Sequence, residues 1–217
     1  DNLYKINKAL FENIINKGFT SFTDIQKTVI DKKNSNRDLL VSSKTGSGKT
    51  LAYCLSISDQ ILNTKIDVNS TPAGLIVAPT RELALQVFEE IIWLYKKTNL
   101  IAVTSIGGMD INKERKKISK KFNLLIGTPG RINDHLRKKA LNLSQLSFLV
   151  LDEADEMLDL GFREDLDAII QSSPNNTRKL LFSATLPKKI KILANKYLAN
   201  PKKIEVSNQN IPHSDID

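Results

Sequence analysis

The stretch DLLVSSKTGSGKTLAYCLSISDQIL, residues 38–62, combines three local patterns in one run. Its first residues, Asp38–Ser42, are a short aliphatic run that predicts a buried strand. The next segment, Ser43–Thr50, is rich in glycine and small polar residues. Leu51–Leu62 follows with the pattern of an amphipathic helix. A strand, a glycine-rich turn and a helix in this order predict one unit of an α/β fold.

The glycine-rich segment SKTGSGKT matches the pattern of a phosphate-binding P-loop, with Ser43 at the first position, where glycine or alanine is usual. Gly46 and Gly48 allow backbone N–H groups to turn inward around phosphate oxygens at a helix N-terminus. Lys49 is then expected to reach the terminal phosphates, and the hydroxyl of Thr50 to hold Mg²⁺. A fortuitous glycine-rich turn is the alternative, which the flanking strand and helix disfavour.

Further aliphatic runs repeat the strand pattern along the chain. They are nearly continuous rather than alternating, which is typical of strands covered on both faces. Helical patterns separate them, so the sequence predicts a mostly parallel sheet of about seven strands with helices on both faces. The predicted strands are Asp38–Ser42, Ala73–Ala78, Ile101–Ser105, Asn123–Gly127, Phe148–Leu151, Lys179–Phe182 and Lys203–Val206. The other predicted helices are Tyr4–Ile15 (one or two helices), Arg81–Lys96, Asn112–Ser119, Gly130–Arg137, Glu164–Gln171 and Lys188–Tyr197.

The composition is that of an ordinary globular protein. The chain has 217 residues, of which 41% are hydrophobic and 26% charged, and no run is long enough for a transmembrane helix. The single cysteine, Cys54, excludes an internal disulfide and favours the reducing interior of a cell, without distinguishing nucleus, nucleolus or cytoplasm. Lys and Arg number 32 against 24 Asp and Glu, a net charge of +8, which favours a polyanionic partner.

A second chemical motif, DEAD at Asp152–Asp155, ends the fifth aliphatic run. An apolar strand that ends in an acidic pair is the Walker B arrangement. Asp152 is expected to hold Mg²⁺ partly through water, and Glu153 to orient or deprotonate the attacking water. An acidic helix N-cap is the alternative, because carboxylates favour that position. Together with the P-loop, the motif predicts a nucleoside triphosphatase site.

The motifs in order along the chain narrow this prediction. In this order and spacing the chain resembles the N-terminal RecA-like domain of a DEAD-box ATP-dependent RNA helicase, from about Gly18 to Val206. The motifs that carry the resemblance are GFTSFTDIQ (18–26), SKTGSGKT (43–50), PTREL (79–83), GG (107–108), TPGR (128–131), DEAD (152–155) and SAT (183–185).

The resemblance implies an ATP and Mg²⁺ site. Gln26 would hydrogen-bond the adenine edge, Thr23 would brace the P-loop, and the SAT residues would couple the acidic site to domain closure. The nucleotide-binding residues are then Phe19, Thr23, Gln26, Ser43, Lys44, Thr45, Gly46, Ser47, Gly48, Lys49 and Thr50. The catalytic residues are Lys49, Asp152, Glu153, Ser183 and Thr185, with Thr50 and Asp152 at the metal.

The resemblance also implies RNA strand separation or RNA-protein remodelling, and a surface that grips the backbone of single-stranded or duplex RNA without reading its sequence. For Arg81 an ion pair with Glu82 or Glu153 is the alternative. The residues of this surface are Pro79, Thr80, Arg81, Gly108, Thr128, Pro129, Gly130 and Arg131.

The sequence departs from the family pattern in two further places. Phe22 stands where proline is usual, and the upstream aromatic that stacks on adenine would fall near Asp1, with Tyr4 as a substitute.

The arginine-rich motif of the family's second RecA-like domain is missing, since neither His135 nor His213 begins one. The expectation is therefore a single RecA-like domain over residues 1–207, with N-terminal helices and the glutamine motif at 1–26 and the start of an interdomain linker at 208–217. Such a chain, a monomer by default, would bind nucleotide but hydrolyse it slowly without the second domain.

Two other functions stay open at this point. One is an RNA clamp that binds ATP without useful unwinding, against which the intact Lys49, Asp152 and Glu153 argue. The other is a DNA helicase or a general P-loop ATPase. The basic run Lys113–Lys121 is interpreted as a solvated helix face that assists RNA binding electrostatically, with a direct RNA contact or a localisation signal as the alternatives. Trp93, Tyr95 and Cys54 are interpreted as packing residues, and His135 is assigned no role.

Overall fold

The computed structural model describes residues 6–65, 69–108 and 110–205. Tyr4, His213, the predicted linker at 208–217 and the last residue of the seventh predicted strand, Val206, lie outside these ranges.

Within these ranges seven strands form one sheet in the order β3-β4-β2-β5-β6-β1-β7, and each of the six neighbouring pairs is parallel. The predicted parallel α/β sheet is therefore confirmed. The strands are β1 (Leu39–Ser42), β2 (Gly74–Val77), β3 (Ala102–Ser105), β4 (Leu124–Gly127), β5 (Phe148–Leu151), β6 (Arg178–Ser183) and β7 (Lys202–Glu205).

Ten α-helices lie within the described residues, and together they cover both faces of the sheet. They are α1 (Lys8–Asn16), α2 (Asp24–Ile30), α3 (Lys49–Ser56), α4 (Ser58–Asn63), α5 (Arg81–Leu94), α6 (Ile111–Ile118), α7 (Pro129–Arg137), α8 (Ala154–Asp159), α9 (Arg163–Gln171) and α10 (Lys188–Tyr197). None of these helices has the length and apolarity of a membrane span within the part of the chain that is described.

The core consists of two apolar clusters, one on each face of the sheet. Because side chains alternate along a strand, Leu39 and Val41 pack into the cluster with α1, α2, α3 and α5. Leu40 packs into the opposite cluster, with α9 and α10. This double coverage explains why the strands are continuously apolar in sequence.

The helix predicted over Leu51–Leu62 is wrong in its bounds. Helix α3 begins at Lys49, and a break in the helix at Ile57 separates it from α4. The break has a tertiary cause. Arg178, at the start of β6, donates to the carbonyl of Ser56 at 3.0 Å and to its hydroxyl at 2.8 Å. A carbonyl bonded from the side in this way is a poor acceptor for the next helical turn.

The sequence prediction missed α2 and α8. The signal for α2 is a capping box: the hydroxyl of Thr23 accepts from the N–H of Gln26, and the Gln26 side chain accepts from the N–H of Thr23. Helix α8 has no such signal, because Glu153 is its N-cap residue but makes no side-chain capping bond.

Candidate nucleotide and nucleic-acid site

The candidate site lies where β1, β5 and β6 end. Parallel strands present all their carboxyl ends at one edge, and α/β folds bind ligands there. Beyond β1 the N–H of Ser43 donates to the carbonyl of Ser183 at 3.1 Å, so the P-loop begins directly beside the end of β6. Asp152 continues β5, and its N–H donates to the carbonyl of Val77 on β2 at 2.9 Å.

Two glycines give the P-loop its shape. Gly46 and Gly48 have φ values of 81° and 84°, a backbone conformation that other residues adopt at a cost. The buried Lys49 ammonium donates to the carbonyl of Ser43 at 2.9 Å, across the base of the loop. The hydroxyl groups of Ser43 and Ser47 are 2.6 Å apart and close the same turn. Lys44 and Thr45 stand exposed at the tip.

The loop before α2 is bonded to the P-loop. The hydroxyl of Thr23 donates to the carbonyl of Ser47 at 3.2 Å, and Nε2 of Gln26 donates to the carbonyl of Gly48, also at 3.2 Å. Gln26 is 3% exposed, and its Oε1 accepts from the N–H of Thr23 at 2.9 Å. The capping box of α2 therefore also fixes the start of α3.

Asp152 is the buried carboxylate of the site. Its Oδ2 accepts from the hydroxyl of Tyr53 on α3 at 2.9 Å, while Oδ1 is buried with no hydrogen-bond partner. Burial raises the pKa of Asp152 to about 6; the Tyr53 hydrogen bond and the charge of Lys49 oppose the rise. A buried carboxylate oxygen without a partner, close to the phosphate-binding loop, fits a bound Mg²⁺ ion, whose preferred ligands are such oxygens.

Glu153 occupies a strained backbone position. Its φ of 51° and ψ of 50° place it in the left-handed region, which non-glycine residues adopt at a cost and which clusters at functional sites. Its carboxyl group hydrogen-bonds that of Glu156, and this bond raises the pKa of Glu156 above its ordinary value. Glu153 makes no side-chain capping bond to α8.

Asp155 connects the acidic loop to the end of β6. Its carboxylate accepts from the hydroxyl of Thr185 at 3.0 Å, from the N–H of Thr185 at 3.2 Å and from that of Ala184 at 3.4 Å. Partial burial acts to raise the pKa of Asp155, but these hydrogen bonds outweigh it and hold the pKa below its usual value. Ser183 donates its hydroxyl to the carbonyl of Thr185 at 2.6 Å and closes the turn.

The P-loop, Gln26 and the acidic pair Asp152–Glu153 surround a cavity of about 410 Å³, which Asp155, Ser183 and Thr185 do not line. Phe19, which is 37% exposed, forms part of its wall and stacks on Trp93 with ring centroids 6.1 Å apart. The remaining lining comes from α2, the P-loop, the start of α3, α5 and the acidic pair. It consists of Gln26, Thr45, Gly46, Gly48, Lys49, Thr50, Leu51, Leu83, Gln86, Val87, Glu90, Asp152 and Glu153.

The residues predicted to grip a nucleic acid follow three adjacent strands. Pro79–Arg81 follow β2, Gly108 follows β3 and Thr128–Arg131 follow β4. Thr80 and Thr128 are the N-cap residues of α5 and α7, so two helix N-termini face the same side. Arg81 is exposed and its guanidinium packs on Gly108. Within the described residues Arg81 forms no ion pair, so the alternative predicted for it, an ion pair with Glu82 or Glu153, is excluded.

A buried carboxylate, Glu114 on α6, connects these loops. Its Oε1 accepts from the N–H of Ile106 at 2.9 Å, and its Oε2 lies 2.9 Å from Nε2 of His135 and 3.6 Å from Nη1 of Arg131. Glu114 is 4% exposed and His135 is fully buried. One carboxylate thus holds the loop before Gly107 against the TPGR helix.

Sequence reasoning missed several members of the site. Tyr53 and Glu114 carry no motif signal, because their importance comes from side chains distant in sequence. Asp155 belongs to the DEAD motif, yet its contact with Thr185 depends on how β5 and β6 lie side by side. The packing assigned to Tyr95 is confirmed, since its hydroxyl is buried and donates to the carbonyl of Cys54 at 2.6 Å.

A P-loop and an acidic strand end around one cavity, in a parallel α/β sheet, define a P-loop nucleoside-triphosphate-binding domain. Residues 23–193 match the family model of the DEAD/DEAH box helicases. The chain belongs to that family.

Similar proteins agree with this assignment. The chain is 39% identical over 211 residues to a DEAD-box ATP-dependent RNA helicase, RhpA, of Helicobacter pylori, which covers 97% of this chain and 42% of RhpA. It is 38% identical over 218 residues to the ATP-dependent RNA helicase DbpA of Bacillus subtilis, covering 98% of this chain and 45% of DbpA. The chain therefore spans less than half the length of these two relatives.

The fold is shared with a solved structure. A DEAD box protein from the hyperthermophile Methanococcus jannaschii matches with a TM-score of 0.88 and 37% identity. The match covers 95% of this chain and 55% of the other.

Proposed function

We propose that this chain is the nucleotide-binding RecA-like domain of an ATP-dependent RNA helicase. In this proposal it binds ATP with Mg²⁺ in the cavity and the backbone of single-stranded RNA on the neighbouring face. The proposal rests on one observation: Lys49 of the P-loop and Asp152, whose Oδ1 has no partner, line the same cavity. The RNA helicase names of the relatives support the substrate class.

The nucleotide part of the proposal follows from the charges around the cavity. The N–H groups at the start of α3 and the Lys49 ammonium would hold the phosphates. Thr50 and Asp152 would hold Mg²⁺, which supplies charge neutralisation at the phosphates when bound. Glu153, in its strained turn, would orient the attacking water or accept its proton. Gln26, already bonded to Gly48, stands at the edge of the same cavity and would contact adenine.

The RNA part of the proposal follows from the two helix N-termini and the arginines. Phosphate oxygens bind well to N-terminal N–H groups and to guanidinium groups, and neither contact reads base sequence. Arg81 lies exposed on Gly108, while Glu114 orients Arg131. We expect binding that depends strongly on salt and weakly on sequence.

Coupling between the two sites would pass through Asp155 and Thr185. Their hydrogen bonds join the loop that follows β5 to the turn that follows β6. We propose that a second RecA-like domain closes on this edge and completes the ATP site with arginine side chains. Removing such arginines costs about 10³–10⁵ in rate in related phosphoryl-transfer enzymes, so we expect slow hydrolysis by residues 1–217 alone.

The experiment measures nucleotide and RNA binding by the 217-residue chain. Fluorescent ATP analogues with Mg²⁺ report the first site, and labelled RNA against DNA of identical sequence reports the second. Lys49→Ala is expected to abolish nucleotide binding and Arg131→Gln to weaken RNA binding for every sequence. Equal affinity for DNA would favour a DNA-directed enzyme. Fast RNA-stimulated hydrolysis by this chain alone would contradict the need for a second domain.

A further inference from the structure

Nine exposed cations form a basic strip beside the proposed RNA face. They lie on α6, on the turn that follows it and at the end of α7. The strip belongs to the β3–β4 side of the sheet, because α6 connects those two strands. Its members are Lys113, Arg115, Lys116, Lys117, Lys120, Lys121, Arg137, Lys138 and Lys139.

The strip is not neutralised within the part of the chain that is described. None of its nine side chains makes a hydrogen bond or ion pair there, whereas other exposed lysines do, such as Lys97 with Glu12 and Lys196 with Asp167. The acid on α6 that faces α7, Glu114, is buried and already bonded. A surface of like charges left unpaired repels itself, and an anion on it removes that cost.

The two halves of the strip form one surface. Glu114 bonds His135 at 2.9 Å and so holds α6 against α7. At the far end, Ser70 donates its N–H to the carbonyl of Lys120 at 3.2 Å, and its own carbonyl accepts from the N–H of Asn142 at 2.9 Å. The segments that follow both helices are therefore fastened to the same residue.

The strip also adjoins the proposed RNA face. Glu114 contacts Arg131, and α6 begins at Ile111, three residues after Gly108. The eight residues of α6 extend about 12 Å, which matches three or four stacked nucleotides at about 3.4 Å each.

We infer that the basic strip binds the phosphates of the RNA strand where it leaves the TPGR face. This inference rests on the proposed function, since it extends the same RNA track. The contacts are electrostatic and independent of base sequence. They lengthen the site of the bound strand rather than create a second RNA site.

The test compares two triple variants of the 217-residue chain with equal charge change. Lys116→Gln/Lys117→Gln/Lys120→Gln removes three of the nine charges of the strip. Lys191→Gln/Lys202→Gln/Lys203→Gln is the control; it removes exposed lysines from α10 and from β7, at the opposite edge of the sheet.

Each protein is titrated with labelled oligouridylate of about 6 and about 20 nucleotides over a range of KCl. The longer probe exceeds the site of about 4–16 nucleotides that one OB fold binds. We expect the strip variant to bind the short RNA like the wild type. For the long RNA we expect weaker binding and a salt slope that is smaller by about 0.7 for each phosphate no longer bound, or about 2 in total. The control variant keeps the wild-type slope with both RNAs.

Several results would overturn the inference. An unchanged slope with the long RNA, or equal losses in both triple variants, means that the strip holds no phosphates. Loss of binding to a polyglutamate peptide with RNA binding intact assigns the strip to an acidic protein partner. The proposed function is judged separately, by short-RNA binding of the wild type and its loss in Arg131→Gln. If the wild-type chain binds neither the short nor the long RNA, both the proposed function and the inference about the strip are rejected.

Discussion

Two aspartates of the same motif, Asp152 and Asp155, should respond to pH with opposite signs. The pKa of Asp152 is raised from 3.8 to about 6, chiefly by burial. Its neutral form therefore stabilises the fold in acid, and this stabilisation is lost as the pH rises through about 6. Asp155 has a lowered pKa, because hydrogen bonds from Thr185 outweigh burial. Its ionised form stabilises the fold above its ordinary pKa, and this stabilisation is lost in acid.

Asp152→Asn tests this, and the size of its effect follows from the shift. A rise of about 2 pKa units corresponds to roughly 3 kcal/mol against the ionised form at pH 8. By the same linkage, the wild type loses about 1.4 kcal/mol of this stabilisation between pH 5 and pH 8. Asparagine cannot ionise, so the variant gains about this much stability relative to wild type over that interval. An amide nitrogen without an acceptor costs about the same at every pH and does not affect the slope.

Urea unfolding at pH 5, 6.5 and 8, without nucleotide and with Mg²⁺ chelated, measures the effect. Asp155→Asn is the control, and its stability relative to wild type should stay constant from pH 5 to pH 8, because this interval lies above the ordinary pKa of Asp155, where its stabilisation is already complete. A stability difference between wild type and Asp152→Asn that stays constant with pH would show that burial does not shift this carboxyl. A gain of the same size in Asp155→Asn would contradict the assignment equally.

Two further predictions concern the loops around the site. Glu114→Ala should lower the free energy of unfolding by about 2–6 kcal/mol, because the buried N–H of Ile106 and the buried Nε2 of His135 each lose a hydrogen-bond partner at about 1–3 kcal/mol. The exposed Glu89→Ala should change it by about 0.5 kcal/mol or less, and urea unfolding measures both. Gly48→Ala should weaken nucleotide binding, since its Cβ would lie 2.5 Å from Nε2 of Gln26. Gly161 has a similar φ, but no atom lies within 4 Å of a Cβ added there, so Gly161→Ala should lose about 1–2 kcal/mol of stability and keep nucleotide affinity. Titration with a fluorescent nucleotide distinguishes the two variants.

The sequence predicts secondary structure correctly wherever the pattern is periodic or involves only a few neighbouring residues. The aliphatic runs identified the seven strands, because strands buried on both faces are continuously apolar. The break at Ile57 was not predictable, because Arg178 causes it from more than a hundred residues away. Helix α2 could have been found from the capping box at Thr23 and Gln26, which is a local signal.

For the basic run Lys113–Lys121, the sequence predicts exposure but not the partners of its side chains. Its residues, on α6 and in the turn that follows it, are exposed apart from Glu114 and Ile118, in keeping with the solvated face that its sequence predicts. Its lack of ionic partners within the described residues, and its continuation into the end of α7, depend on how two helices pack. Sequence alone offered no reason to give Glu114 or His135 a role.

The strand and helix types, the parallel α/β class and the two phosphate-site motifs could all be obtained from the amino-acid order, because they depend on short-range spacing and on apolar runs. Which groups face each other became visible only in the folded chain. The order of the strands places β1 and β5 on either side of β6, so that the P-loop, Asp152 and Ser183 meet. The same packing removes Asp152 from water and raises its pKa. Burial and contact between distant residues are properties of the folded chain, and local spacing contains no record of them.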